Sequence, residues 1–214
     1  MVKNKKRKYA VILGTRPNFV KAAPFFDEAK KHDDVELILV NTGQHFDKNL
    51  SKIFFEQMNI PKPNKNLGVG LIDENIKISA TSQAIISYLS KINDISGVIV
   101  FGDVMSTLAG AIAAKKLKLK LIHIESGLRS YDKRMPEENN RIIVDNLSDI
   151  LFVSEVDAIS NLKREGISHR NVYFVGNIMI DALERFKESL PTLVFSRYGL
   201  KRGKYIIVTI HRAE

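Results

Sequence analysis

The chain has 214 residues, of which 44% are hydrophobic and 27% charged, and its 33 Lys and Arg against 24 Asp and Glu give a net charge of +9. This ordinary apolar content excludes disordered and low-complexity proteins, and the lack of cysteine excludes disulfide scaffolds, thiolate zinc sites and cysteine nucleophiles. Because no apolar run approaches the roughly 18–20 residues of a membrane span or forms a signal-peptide core, we expect a cytoplasmic protein without membrane contact.

The chain begins with a basic segment. Five Lys and Arg residues lie within residues 3–8. Such an arm can bind nucleic acid, but no nucleic-acid-binding motif occurs elsewhere, so we expect a solvated terminus and no nucleic-acid partner. The remaining positive charge suits an anionic ligand such as a phosphorylated small molecule.

Short apolar runs alternate with stretches of helical periodicity along most of the chain. Strands are predicted at residues 9–13, 35–40, 97–101, 119–124, 150–153 and 172–175. Helices are predicted at residues 18–31, 48–58, 75–92, 105–117, 137–147, 155–165 and 178–190. Strands that alternate with helices in this way form right-handed βαβ units, so we expect an α/β fold with a doubly wound, Rossmann-like parallel sheet.

The sequence predicts one lobe and the beginning of another. Residues 1–176 contain the alternating units, and residues 177–214 hold a connector and a further apolar strand at 205–210. A parallel strand needs neighbouring strands and helices on both faces. We therefore expect this strand to be the first of a second lobe that is truncated here.

The residues after each strand are the candidates for ligand binding, because open parallel sheets bind ligands at the carboxyl ends of their strands. After the first strand, Arg16 and Lys21 could attract a phosphate to the helix N-terminus, although an ordinary turn with surface cations is the alternative. Neither G-x-G-x-x-G nor G-x-x-x-x-G-K-[ST] occurs, which disfavours NAD and P-loop sites. After the second strand, Gln44 and His45 could hydrogen-bond a sugar or phosphate, or could simply cap the loop.

Carboxylates follow the next two strands. Asp103 and Glu125 come directly after them, and Glu137 and Glu138 open a helix. Carboxyl groups that converge on one cleft can divide into proton donor and acceptor. The alternatives are a helix cap at Asp103 and favourable acids in a first helical turn, where Glu137 can pair with Arg141.

Three further polar residues have less specific signals. His123 lies inside an apolar strand and is expected to be a core histidine. His211 and Arg212 directly follow the last predicted strand. They would face the first lobe across a cleft if a second lobe exists, and the alternative is a ragged terminus.

Together these segments resemble the UDP-N-acetylglucosamine 2-epimerase family. The motifs occur in order from Gly14 to Glu214 and read GTRPNFVK, NTGQHFD, NIPKPNKNLGVG, FGDVMSTLAGA, HIESGLRS, RMPEENNR, VGNIMIDAL and TIHRAE. The short MPEE segment and HIESGLRS are more similar to the non-hydrolysing branch than to the hydrolysing enzymes. The resemblance implies a GT-B-type enzyme with two Rossmann-like lobes and an active site between them.

The resemblance also implies an activity, the interconversion of UDP-GlcNAc and UDP-ManNAc. In that reaction the C2 proton is lost and UDP is eliminated to leave a glycal. UDP then adds back while C2 is reprotonated on its other face. The resemblance implies no metal and no NAD cofactor, and it suggests a homodimer that serves the synthesis of cell-surface polysaccharide precursors.

By motif position, the resemblance implies a catalytic set and a substrate-binding set. The catalytic set is Asp103, Glu125, Glu137 and His211. The substrate-binding set is Arg16, Lys21, Gln44, His45, Arg129 and Arg212. The chain departs from the family at Val104, Ser126 and Asn18, where Thr, Ala and Glu are usual, so a modified UDP-sugar stays possible as the substrate.

Three alternatives to this function stay open. They are a hydrolysing epimerase that releases ManNAc, a non-catalytic nucleotide-sugar-binding module, and a GT-B glycosyltransferase. In the family the second lobe supplies most contacts to uridine and ribose. We therefore expect the 214-residue chain to be poorly active by itself.

Overall fold

The fold is built on a seven-stranded parallel sheet. The computed structural model describes residues 6–43, 58–71, 73–187 and 194–209. The strands are β1 (Arg7–Leu13), β2 (Val35–Asn41), β3 (Lys65–Asn66), β4 (Ile95–Phe101), β5 (Lys120–Ser126), β6 (Ile150–Val153) and β7 (Val172–Phe174). Their order is β3-β2-β1-β4-β5-β6-β7, and each neighbouring pair is parallel. This confirms the predicted α/β class and the parallel sheet.

Six α-helices connect or follow these strands in the described part of the chain. They are α1 (Arg16–Ala29), α2 (Glu74–Leu89), α3 (Met105–Lys116), α4 (Pro136–Leu147), α5 (Val156–Arg164) and α6 (Ile178–Lys187). The predicted helix at residues 48–58 lies almost wholly outside the described residues. Within the described ranges, no helix is both long and apolar enough to cross a lipid bilayer.

Strand alternation divides the core into two layers, because successive side chains point to opposite faces of a sheet. On β1, Ala10 and Ile12 belong to a cluster with residues of α2, α3 and α4. Val11 and Leu13 belong to the cluster on the other face, which contains residues of α1 and, at its margin, of α6. Both faces of the central strands are therefore covered, which explains why these strands are continuous apolar runs.

Helix α6 packs on the sheet layer through α1. Arg185 pairs with Asp27 of α1 and donates a hydrogen bond of 2.6 Å to the Met58 carbonyl oxygen. Ile178 and Phe186 of α6 contact the cluster beneath α1. These contacts anchor the chain after β7 to the same body as the sheet.

The strand predicted at residues 205–210 is wrong for the residues that the structure describes. Residues 205–209 have no regular secondary structure, and Ile206 is 90% exposed. A strand is stabilised by hydrogen bonds to neighbouring strands, and this segment pairs with none of the seven described strands. Its apolar sequence is typical of a strand that pairs with neighbours in a second sheet. Without such neighbours, the apolar pattern alone is not sufficient to form a strand.

Strand order places one reversal in the sheet, between β1 and β4. The chain proceeds from β1 to β2 and β3 on one side, and from β4 to β7 on the other. In doubly wound sheets the connections diverge at such a point and leave a crevice at the carboxyl ends of the strands. The predicted site residues after β1, β4 and β5 lie around this edge.

Candidate functional site

Glu125 has a backbone geometry that removes it from the regular sheet. The β5–β6 register shifts between Ile124 and Ser126, so Glu125 is an extra residue in a bulge of β5. Its φ is 67°, in the left-handed region that non-glycine residues seldom occupy. Such backbone strain concentrates at functional sites, where the surrounding structure holds it in place.

The Glu125 carboxylate is paired with Lys21 of α1. Lys21 Nζ lies 2.6 Å from Glu125 Oε2, and the two side chains are 13% and 14% exposed. Gly102 allows this approach, because its φ is +64° and a Cβ built on it would lie 3.3 Å from Lys21 Nζ. The structure thus brings together two residues that the sequence predicted from separate motifs.

Arg141 of α4 connects the two candidate carboxylates. Its Nη2 pairs with Asp103 Oδ2 and lies 4.0 Å from Glu125 Oε1. Its Nη1 also donates a hydrogen bond of 3.3 Å to the Glu125 backbone oxygen. Asn140 supports the same turn by donating a hydrogen bond of 2.9 Å to the Asp103 backbone oxygen.

These contacts favour the functional interpretation of Asp103 over the helix-cap alternative. Val104, not Asp103, is the N-cap of α3, and it makes no side-chain capping bond. The Asp103 carboxylate instead turns toward Arg141. The sequence indicates Arg141 only as a partner for Glu137, and its proximity to Asp103 and Glu125 is visible only in the structure.

Glu137 and Glu138, adjacent in α4, have different surroundings. Glu138 is buried and accepts hydrogen bonds from the Ser130 and Tyr131 backbone nitrogens at 2.8 and 3.1 Å. Glu137 is exposed and lines a cavity of about 200 Å³ together with Asp103 and other residues. Glu138 therefore orders the loop before α4, whereas the Glu137 carboxylate stays accessible to a ligand in the cavity.

Arg129 makes buried ion pairs. Its side chain is 1% exposed, and Nη2 lies 2.8 Å from Asp145 Oδ2 and 2.5 Å from Glu165 Oε2. Burial by itself would lower the pKa of Arg129, but the hydrogen bond to Glu165 and the charge of Asp145 raise it above its ordinary value. The guanidinium is directed at these carboxylates, while Arg129 also lines the cavity that Asp103 and Glu137 line. The assignment of Arg129 to substrate binding stays a prediction.

Asp145 is the centre of this buried cluster. Its Oδ1 lies 2.7 Å from His123 Nδ1, and its Oδ2 accepts a hydrogen bond of 3.0 Å from the Gly127 nitrogen. Burial alone would raise the pKa of Asp145, but the hydrogen bond and charge of His123, together with the charge of Arg129, lower it below its usual value. His123 is fully buried, as predicted for a core histidine.

The remaining predicted site residues divide into one described and four undescribed positions. Arg16 is exposed at the first turn of α1. Gln44, His45, His211 and Arg212 lie outside the described residues. The helix N-cap is Thr15, while Asn18 inside α1 donates a hydrogen bond of 2.8 Å to the Phe101 carbonyl oxygen.

The arrangement is suited to proton transfer beside an anion. Asp103, Glu125 and Glu137 supply carboxylates, and Lys21 and Arg141 supply cations next to the first two. Across the described ranges there is no group of three or more His, Asp or Glu side chains that could hold a metal ion.

Comparison with known proteins identifies relatives of this chain. A family model described as UDP-N-acetylglucosamine 2-epimerase matches residues 27–214. A UDP-N-acetylglucosamine 2-epimerase of Methanococcus maripaludis is 38% identical over 97% of this chain and 57% of its own length. A UDP-2,3-diacetamido-2,3-dideoxy-D-glucuronate 2-epimerase of Pseudomonas aeruginosa is 41% identical, over 97% of this chain and 58% of the relative.

A solved structure shares the fold. The UDP-GlcNAc 2-epimerase of Methanocaldococcus jannaschii, in complex with UDP-GlcNAc and UDP, superposes with a TM-score of 0.78 at 36% identity. The match covers 90% of this chain and 53% of that chain. The chain therefore spans about half the length of the relatives it matches.

Proposed function

The chain belongs to the UDP-N-acetylglucosamine 2-epimerase family, and from this premise we propose that it is the N-terminal half of a non-hydrolysing epimerase that interconverts UDP-GlcNAc and UDP-ManNAc. The observation that carries the proposal is the pairing of the Asp103 and Glu125 carboxylates with Arg141 and Lys21 at the carboxyl edge of the sheet. We propose residues 1–176 as the lobe body and residues 177–214 as the connection to a second lobe.

In the proposed mechanism the carboxylates exchange protons with C2 of the sugar. One carboxylate removes the C2 proton, the C1–O bond to UDP breaks, and a C1=C2 double bond forms. In the return step a UDP oxygen bonds to C1 and a carboxylic acid delivers a proton to the opposite face of C2. Asp103, Glu125 and Glu137 are the groups we propose for these transfers, because Asp103 and Glu137 line one cavity and Arg141, which also lines it, lies next to both Asp103 and Glu125. General acid–base catalysis needs groups positioned in this way.

In this mechanism Lys21 and Arg141 pair with the carboxylates before the substrate binds, and they bind its diphosphate afterwards. In the structure described here Lys21 is paired with Glu125. A diphosphate is a strong competitor for an ammonium group, since charge-assisted hydrogen bonds to phosphate are among the strongest. Substrate binding would therefore draw Lys21 away from Glu125 and leave that carboxylate available for C2, while Arg16 at the helix start adds a further cation.

The test is a coupled assay on UDP-GlcNAc with the two-lobed protein that carries this half. UDP-ManNAc as the product supports the proposal, free ManNAc supports the hydrolysing alternative, and neither product with retained UDP-GlcNAc binding supports a binding module. UDP-2,3-diacetamido-2,3-dideoxyglucuronate is assayed in parallel, because a 41%-identical relative bears the name of that substrate. The 214-residue chain alone is expected to show little turnover.

Asp103→Asn is the sharpest variant for this assay. It keeps the size of the side chain but removes the carboxylate, so we expect a loss of about 10²–10⁴ in kcat, the usual contribution of a general acid or base. Asp149→Asn is the matched control, because Asp149 pairs with Lys115 and accepts a hydrogen bond from the Leu121 nitrogen before β6 begins. Unchanged kinetics of Asp103→Asn would remove Asp103 from the site.

We also propose a homodimer that acts in the cytoplasm to supply cell-surface polysaccharide precursors, without nucleic acid as a partner. Family resemblance supports this part of the proposal. Sedimentation of the two-lobed protein tests the dimer directly.

A further inference from the structure

A buried pair of side chains, Asp145 and His123, makes hydrogen bonds to both segments that carry the candidate catalytic carboxylates. Asp145 Oδ2 accepts a hydrogen bond of 3.0 Å from the nitrogen of Gly127, two residues after Glu125. Asp145 Oδ1 contacts His123 Nδ1 at 2.7 Å, and His123 Nε2 in turn lies 2.7 Å from the carbonyl oxygen of Gly102, which precedes Asp103. We propose that Asp145 and His123 are positioning residues that hold Asp103 and Glu125 in one fixed relative geometry.

The hydrogen-bond partners of His123 define its protonation. The Gly102 carbonyl oxygen can only accept, so His123 Nε2 carries a proton. Asp145 Oδ2 already accepts from the Gly127 nitrogen and from Arg129, which is the pattern of an ionised carboxylate. Its Oδ1 then also accepts, so His123 Nδ1 carries a proton as well, and the ring is an imidazolium.

The surrounding charges balance this assignment. The groups that face the pair are the Arg129 guanidinium, 2.8 Å from Asp145 Oδ2, and Glu165, which lies 2.5 Å from Arg129 on the far side. With His123 protonated, two cations and two carboxylates give a neutral cluster. A neutral His123 would leave a net negative charge in a region where both the His123 and Asp145 side chains are 0% exposed, which is costly.

The segments held by Asp145 have backbones that need support. Gly102, Glu125 and Gly127 all have positive φ, at 64°, 67° and 76°. For Glu125 this conformation is unfavourable unless neighbouring contacts fix it. The Gly127 hydrogen bond fixes the chain just after Glu125, and the His123 hydrogen bond fixes the chain just before Asp103. Asp145 therefore holds the first segment directly and the second through His123.

The consequence for catalysis rests on the proposed function, whereas the protonation and the geometry do not. Proton transfer to and from one carbon requires its two carboxylates at a defined separation, and misplacement by about 1 Å can cost about 10²-fold in rate. Asp145 lies behind the two segments and is fully buried, so it acts on the chemistry only through them.

The first experiment needs no variant and no substrate. The ¹⁵N NMR spectrum of the His123 ring in the 214-residue chain is expected to show a proton on both nitrogens at pH 7.5. A ring with a single proton would overturn the proposal. Because this spectrum depends on neither turnover nor ligand, it remains decisive even if the enzyme activity is of another kind.

The second experiment compares Asp145→Asn with Asp149→Asn. An amide at position 145 keeps the shape but allows a neutral imidazole, so we expect His123 to lose one ring proton and the carboxyl carbon resonances of Asp103 and Glu125 to shift. Asp149→Asn should move neither signal, because Asp149 bonds Lys115 and the Leu121 nitrogen instead. Unmoved Asp103 and Glu125 resonances in folded Asp145→Asn would contradict the positioning role.

The third experiment measures kinetics in the two-lobed enzyme. Asp145→Asn is expected to lower kcat at least tenfold while KM stays within about twofold, and Asp149→Asn to change neither. Unchanged kcat with altered NMR signals would refute the catalytic consequence. If the unsubstituted enzyme shows no epimerisation at all, the proposed function fails, and the ring spectrum still decides whether the imidazolium exists.

Discussion

Replacing Arg141 by Gln is expected to destabilise the lobe more than the loss of an ordinary ion pair. The Arg141 side chain is 9% exposed and contacts Asp103 while lying 4.0 Å from Glu125 Oε1. Gln keeps a polar stem but no charge, so both carboxylates lose their shared cation. The two negative charges then repel each other across the space that the guanidinium occupied.

The magnitude follows from the competing energies of this contact. Two unit charges at 4 Å attract by about 4 kcal/mol at an effective dielectric constant of 20. The desolvation of a buried guanidinium, which costs several kcal/mol, is recovered in the variant. Breaking a buried pair costs about 3–5 kcal/mol, and we reduce this because the Asp103 side chain is 27% exposed and can be solvated. A loss of about 2 kcal/mol is expected.

The assay is urea and thermal unfolding of the 214-residue chain, with Lys115→Gln as the control. Lys115 Nζ lies 2.6 Å from Asp149, but these side chains are 32% and 43% exposed. Exposed pairs contribute about 0–1 kcal/mol. For a chain of this size about 2 kcal/mol corresponds to a fall of roughly 4–8 °C in Tm, so the two variants should separate clearly.

A double-mutant cycle makes the reasoning refutable. In an Asp103→Asn background, Arg141→Gln should cost less, because position 103 no longer carries the charge that Arg141 neutralises, while Glu125 keeps its pair with Lys21. Equal losses of stability for Arg141→Gln and Lys115→Gln would show that the guanidinium contributes no more than a surface charge. The same cycle without coupling would show that Arg141 and Asp103 do not interact in solution.

Two further predictions concern acid stability and a close-packed turn. The pKa of Asp145 is lower in the folded state than in the unfolded chain, where it is about 4. The ionised Asp145 therefore stabilises the fold above that unfolded value, and this stabilisation is lost as the pH falls through the folded pKa. The midpoint of urea unfolding should fall less steeply from pH 6 downward in Asp145→Asn than in the unsubstituted chain, and equal slopes would contradict this. Gly14→Ala would place a Cβ 2.5 Å from the Thr42 hydroxyl and 2.6 Å from Ser106 Cβ, so overpacking should cost about 1–3 kcal/mol in urea unfolding, and unchanged stability would show that the turn can widen.

The alternation of apolar runs and helical stretches was sufficient to predict the sheet. Strands β4 and β6 were found within two residues of their observed bounds, because their buried positions are nearly all aliphatic or aromatic. The same local reasoning failed at residues 205–209, whose apolar pattern is as strong. The difference is non-local, since a strand forms only where another strand can bond to it.

The candidate site was predictable in part, since residues that directly follow strands could be located from sequence. The bulge at Glu125 was not, because it depends on the register between β5 and β6. Arg141 and Asp145 were also missed, although both are buried on one side of α4 and are four residues apart. Glu138, Arg141 and Asp145 recur at helical spacing on the buried face of α4, and charged residues repeated on one helix face are a signal that could have identified the last two.

Because the backbone at Glu125 is left-handed, stability and catalysis favour different residues at this position. Glycine adopts that backbone conformation readily, whereas the proposed reaction needs a residue with a carboxylate at this position. In a background where Lys21 is replaced by a neutral residue, so that glycine leaves no unpaired buried cation, a library of variants selected for heat resistance should therefore accumulate glycine at position 125. A library selected for turnover should retain Glu. The frequencies of glycine and glutamate at this codon in the two pools would show how much stability the protein gives up to keep the carboxylate.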